Sequence, residues 1–161
     1  MRTGPRTLAT KTPRYDRMVP AAPDAIGPLR RELRRFARAH GASADVQAAV
    51  ALAFSEACAS IVRVDADPLG DPGPLIVQAQ VSGADLLVRV AHTGRSAPPV
   101  GDDGAGYGFA LALISSVCDR FEVRDRAGRP GKDLEMTFSL EREPAERRSF
   151  PPRPSRSSPR R

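Results

Sequence analysis

One run of the chain, Leu75–Val81, alternates apolar and polar residues, and a second apolar run of strand length, Leu86–Ala91, follows it after only Ser82-Gly83-Ala84-Asp85. A period of two marks a strand with one buried face, and a short break rich in Ser, Gly and Asp between two runs of strand length is a hairpin turn. The apolar side of a hairpin must be covered by another layer. Helical segments on both sides of it can supply that layer. From Gly27 to His40, Leu29, Leu33, Phe36 and Ala37 recur at helical spacing, and Gly41 is placed to stop the helix. Ser43 can cap a second helix that runs to about Val64, with Val46, Ala49, Val50, Ala53, Ala57 and Ile61 as its apolar stripe.

After the hairpin, Gly94–Gly108 reads as a long Gly- and Pro-bearing loop, and ordered loops of such length are usually functional. Phe109–Cys118 returns to helical character, Phe121–Arg126 suits a short strand, and Leu134–Leu140 alternates again. The expected order is helix, helix, strand, strand, loop, helix, strand, strand. Short turns between neighbouring strands imply a mainly antiparallel sheet with helices on one face, an α+β two-layer sandwich.

The 161 residues suit one domain with a real core. The 16 prolines and 13 glycines exceed what a compact fold of this size needs, so part of the chain is expected to be tail. Residues 1–22 and 142–161 lack periodicity and are expected to be disordered, which leaves 23–141 as the domain. The net charge of +6 is carried by the last segment, where 147–161 hold six arginines and no acidic residue. Residues 20–146 hold 14 basic and 18 acidic groups, so the domain itself is no basic nucleic-acid clamp.

No window reaches the eighteen or so apolar residues expected of a membrane span, and the basic N-terminus has no hydrophobic run after it. A cytoplasmic location is expected. The arginine-rich first fifteen residues weakly suggest a transit peptide, but a tail is the preferred reading. Cys58 and Cys118 lie in apolar segments without metal-type spacing and are expected to be buried thiols.

Four short segments carry candidate chemistry. Ser55-Glu56-Ala57-Cys58-Ala59-Ser60 puts Glu56 and Ser60 one helical turn apart. His92-Thr93-Gly94-Arg95-Ser96 follows the second strand of the hairpin. Gly104-Ala105-Gly106-Tyr107-Gly108 leads into the third helix, where free amides and the helix dipole can cradle phosphate oxygens. Gly131-Lys132-Asp133-Leu134 precedes the last strand. Taken singly, each has a bland reading: a surface carboxylate, a histidine at a strand end, a flexible glycine loop, and a segment that only completes the sheet. The last of these is preferred for Asp133 and Leu134.

Together, in this order, the segments resemble the Bergerat (histidine-kinase-like ATPase) fold, and in particular the RsbW-like anti-sigma-factor serine kinases. The resemblance covers roughly residues 23–141 and implies binding of ATP and Mg. It makes Glu56 the general base for a substrate hydroxyl or water, and it puts Ser60 where the family has the asparagine that holds magnesium. It puts His92 where the family has the aspartate that accepts from the adenine amino group, and Ser96 at its second glycine, with Gly94 retained. It assigns Gly104, Gly106 and Gly108 to the phosphate loop, and it sets Asp133-Leu134 in place of a closing Gly-Thr pair. Loss of a charged acceptor removes roughly 1.5–3 kcal/mol, about ten- to a hundredfold in affinity. The scaffold is kept better than the ligands.

The expected function is therefore an anti-sigma-like regulator of a partner-switching system, with weak or lost ATP binding. By resemblance, its partners are a sigma factor and a STAS-domain anti-sigma antagonist, and family members commonly form homodimers. One alternative is a working serine kinase that phosphorylates the antagonist, with Glu56 as base, His92 on adenine and Ser60 on magnesium. The other is a scaffold whose arginine-rich tail binds nucleic acid or a membrane surface, although only Phe150 interrupts that tail with an aromatic ring. The arginines at 30, 31, 34, 35 and 38 fall away from the apolar stripe of the first helix. A solvated face is the preferred reading for them, and a meeting with an acidic partner is the alternative.

Overall fold

The computed structural model describes residues 12–64, 73–92, 104–125 and 132–141. Its elements run β1 (Arg14–Pro20), α1 (Pro23–Ala39), α2 (Ala44–Val64), β2 (Pro74–Ser82), β3 (Asp85–His92), α3 (Gly104–Val117), β4 (Arg120–Asp125) and β5 (Lys132–Ser139). The five strands form one sheet in the order β1-β2-β3-β5-β4, and every neighbouring pair is antiparallel. This is the α+β two-layer sandwich expected from the sequence.

The turns use the residues that favour them. Gly83 adopts φ +60° in the β2–β3 turn, a region L-residues avoid. At the end of α1, Gly41 has φ +92°; its N–H reaches the Arg38 carbonyl at 3.2 Å and the Ala42 N–H reaches Ala37 at 3.0 Å. That pair of bonds is a Schellman cap. One residue later, the Ser43 hydroxyl accepts from the Val46 N–H at 3.2 Å and starts α2.

Alternation decides which side of the sheet is buried. Leu75, Val77 and Ala79 of β2, Leu86, Val88 and Val90 of β3, and Leu134, Met136 and Phe138 of β5 all lie at or below 3% exposure, on the side facing the helices. α2 packs centrally, between α1 and α3 and over β3 and β5. It brings Val46, Val50, Ala53, Phe54 and Ala57 into the core. The opposite side of the sheet is polar. One row crosses all five strands in register, Asp16, Gln78, Arg89, Glu135 and Glu122. Within it Gln78 donates to Asp16 at 3.3 Å and Arg89 donates to Gln78 at 3.0 Å.

Four boundaries depart from the sequence reading. The N-terminal tail expected as far as residue 22 ends earlier, because Arg14–Pro20 pairs with β2 as an edge strand. Its only apolar residues on that stretch are Tyr15, Met18 and Val19, too few for alternation to show, and tertiary contacts decide instead. Tyr15 donates to Glu32 of α1 at 3.0 Å, and Arg17 joins the same carboxylate at 3.0 Å. α1 starts at Pro23, a residue whose fixed φ and missing N–H suit a first turn. α3 starts at Gly104, so Gly104, Gly106 and Gly108, the last three glycines of the expected loop, are helical. β5 takes in Lys132 and Asp133.

The first 18 residues of α2, Ala44–Ile61, are long and apolar enough to match a membrane span, contrary to the expectation that no window is. Its buried stripe is the core of the sandwich, which accounts for that composition. The remainder of the expected tails, at 1–11 and 142–161, lies outside the described residues.

Candidate functional site

α2 carries the first pair of candidates on its second half. Ser60 falls in the buried stripe with Ala53 and Ala57, at 4% exposure, and its hydroxyl donates to the Ala57 carbonyl at 2.7 Å. Glu56 sits at the margin of that stripe, half-buried. Among the described residues its carboxylate takes part in no hydrogen bond or ion pair. The two residues thus share a turn of helix but not an environment. An acceptor free of competing donors is what a base requires, whereas a buried hydroxyl turned onto its own helix is poorly placed to ligate an ion.

His92 ends β3, opposite Leu75, and its place in the alternation with Leu86, Val88 and Val90 aims it at the helix layer. It is 4% exposed. Among the described residues, Ser60 and His92 are the only buried polar side chains, and both are positions where the sequence resemblance expects a ligand. Cys58, two residues before Ser60 on α2, is fully buried, and burial pushes its thiol pKa well above the ordinary range.

The glycine motif lies inside α3. Gly104 and Gly106 occupy its first turn, where backbone N–H groups have no partner within the helix. Such amides suit a phosphate. Gly108 lies one turn on, and a Cβ built there meets nothing within 4 Å, so packing does not demand glycine at this position. Gly94 and Ser96 fall outside the described residues.

The closing segment divides across the sheet. Asp133 stands opposite Ala91 and is paired with Arg89 on the polar side. Leu134 faces the helices at 2% exposure, opposite Val90 of β3 and Val123 of β4. The segment completes the sheet, as its sequence suggests. Sequence reasoning gave no hint of the Arg89–Asp133 pair or of Arg30, whose guanidinium donates to the Ser55 hydroxyl at 3.4 Å. Both depend on register and packing, which residue spacing does not encode.

These side chains can be set against the groups the fold resemblance implies. The α3 start fits the phosphates of a nucleotide. Magnesium requires oxygen ligands near 2.0–2.1 Å in octahedral array, and Ser60, committed to Ala57 and closed off from solvent, does not fit that role as placed. Among the described residues no cluster of three or more His, Cys, Asp or Glu could hold an ion.

The model of the histidine kinase-like ATPase domain matches residues 19–138. The chain belongs to this family. Among solved structures, the ATPase-family domain is similar to the RsbU and RsbW domains of Rv1364c from Mycobacterium tuberculosis, with a TM-score of 0.62 and 20% sequence identity. The match covers 80% of this chain and 32% of that one, so the domain spans about a third of the length of the chain it matches. No curated protein shows significant sequence similarity to it. The match from residue 19 brings the last part of β1 into the family domain.

Proposed function

We propose that this ATPase-family domain is a partner-switching regulator of the anti-sigma type, in which nucleotide binding is weakened or lost. One observation carries the reading. The two buried polar side chains at ligand positions are a serine bonded into its own helix and a histidine in place of a carboxylate. The scaffold that would present a nucleotide to a partner is kept, and two of the groups that would grip it are replaced. On this reading the domain works by binding a sigma factor or a STAS-domain antagonist, in the cytoplasm, alone or as a homodimer. The likeness to a chain that includes an RsbW domain supports it at the level of fold.

A second reading, an active serine kinase using MgATP, is favoured by Glu56. A half-buried carboxylate with no bonding partner among the described residues is available to accept a proton from a substrate hydroxyl. Titration calorimetry with MgATP and MgADP separates the two. The unmodified protein is expected to bind weakly or not at all, and Ser60→Asn with His92→Asp is expected to raise affinity by about ten- to a hundredfold through the restored charged acceptor. Tight binding by the unmodified protein that Gly106→Glu abolishes would mean that the pocket is live, count against weakened binding, and favour a search for a serine substrate. No binding by the double variant would show that the pocket has collapsed beyond the loss of ligands.

A further inference from the structure

α1 is an amphipathic helix whose outer face is cationic from Arg30 to Arg38, with Asp24, exposed in the first turn, on the same side. Leu29, Leu33 and Ala37 are buried beneath it, while Arg30, Arg31, Arg34, Arg35 and Arg38 are all exposed. At 3.6 residues per turn these five fall within an arc of about 140°, and they extend about 12 Å along the axis. No carboxylate among the described residues lies within 4.0 Å of any of them. Among the described residues Arg30 makes the one side-chain bond of the set, to Ser55.

A helix face that merely meets solvent gains from mixed signs at i, i+4. Here Arg30 with Arg34, Arg31 with Arg35, and Arg34 with Arg38 are three like-charged pairs at that spacing, each of which disfavours the helix. Only Arg38 lies in the last turn, where the dipole favours a cation. A face that costs helix stability on its own is relieved by opposite charge from outside.

We propose that this face of α1 is a docking surface for a protein partner that presents carboxylates along one face of a helix. The rows 30–34–38 and 31–35 repeat every about 6 Å, the spacing of Asp or Glu at i, i+4 on a helix laid alongside. Guanidinium groups bind carboxylates in two-pronged geometry, which sets orientation as well as attraction. A long polyanion fits less well. The arc is short, and residues 20–146 as a whole carry 14 basic against 18 acidic groups, so the rest of this stretch is net acidic and disfavours nucleic acid. Through Arg30 and Ser55 the arc borders Glu56, so a partner docked on α1 lies beside the candidate base.

The inference extends the partner-binding reading and is tested apart from it, since the probe is a peptide and no nucleotide is present. The full chain, tails included, is titrated by fluorescence anisotropy against a labelled alanine-based helix with glutamate at every fourth position. The same peptide with glutamine, a short DNA duplex and phosphatidylserine vesicles are compared. The glutamate peptide is expected to bind in a salt-sensitive manner. The triple change Arg31→Glu, Arg34→Glu, Arg35→Glu is expected to weaken binding at least about tenfold, since several exposed pairs are lost at once. Arg31→Gln, Arg34→Gln, Arg35→Gln should weaken it less while leaving the helix content seen by circular dichroism unchanged. Binding unaffected by either triple change would overturn the proposal, as would absence of binding. Tighter α1-dependent binding of the duplex or the vesicles would overturn it in favour of those ligands.

Discussion

At the scale of single residues, Gly41 shows how one backbone angle joins two helices. Its φ of +92° lets the chain close the Schellman cap of α1 and place Ser43 to cap α2 four residues beyond Ala39, the end of the first helix. A Cβ at this position meets no atom within 4 Å, so replacement is penalised by conformation and not by collision. Gly41→Ala is expected to destabilise the domain by about 1–2 kcal/mol, the cost of a left-handed L-residue, read as a lower urea midpoint with an unchanged slope. This residue was legible in the sequence, since a glycine after an amphipathic run has few other uses. Ser60 and His92 were legible as positions but not in their environments. Nothing in the spacing of Ser60 from Glu56 says that one hydroxyl turns inward onto Ala57 while its neighbour a turn away stays available.

At the scale of elements, the hairpin β2–β3 and the helices α1 and α2 could be read from periodicity, because each buries one clean face. β1 could not, since it has one side on α1 and the other on the polar sheet face. Its attachment rests on Glu32 receiving both Tyr15 and Arg17, a contact between elements. The start of α3 was missed for a different reason: glycine carries no hydrophobic signal, so the helix became visible only at Phe109. β1 gives a direct test of its membership. Removing residues 1–20 should lower the unfolding temperature and leave β2 as an exposed edge that promotes self-association, detected by light scattering. If the truncated chain melts as the full one does and stays monodisperse, β1 contributes nothing to the sandwich. α2 is the opposite case, a helix packed between α1 and α3 at the centre of the core. Phe54→Ala, at a site with no exposure, is expected to cost about 3–5 kcal/mol, a large share of the roughly 5–15 kcal/mol that holds an ordinary domain folded, read as a lower urea midpoint.

At the scale of the whole molecule, the pH dependence of stability should be set on its alkaline side by two groups on different layers. Burial raises the Cys58 thiol; burial first, and then the bond to Glu32, raise the Tyr15 hydroxyl. Both are neutral when protonated and negative when not, so each keeps its proton in the folded state at a pH where the unfolded chain has lost it. The folded state then binds more protons, and stability falls as pH rises. The contribution is complete below the unfolded values, about 8.5 for cysteine and about 10 for tyrosine. It is lost progressively above them. Urea unfolding between neutral pH and pH 11 should show a plateau, then a decline from about pH 8.5 of up to about 1.4 kcal/mol per pH unit from Cys58. Tyr15→Phe should flatten the further steepening above about pH 10 and leave the first decline in place, because Tyr15 sits on β1 and Cys58 in the middle of α2. A thiol reagent added at pH 8 should modify Cys58 only after unfolding. Rapid modification of Cys58 in the folded protein, or stability that rises with pH across this range, would contradict the burial on which the layered core depends.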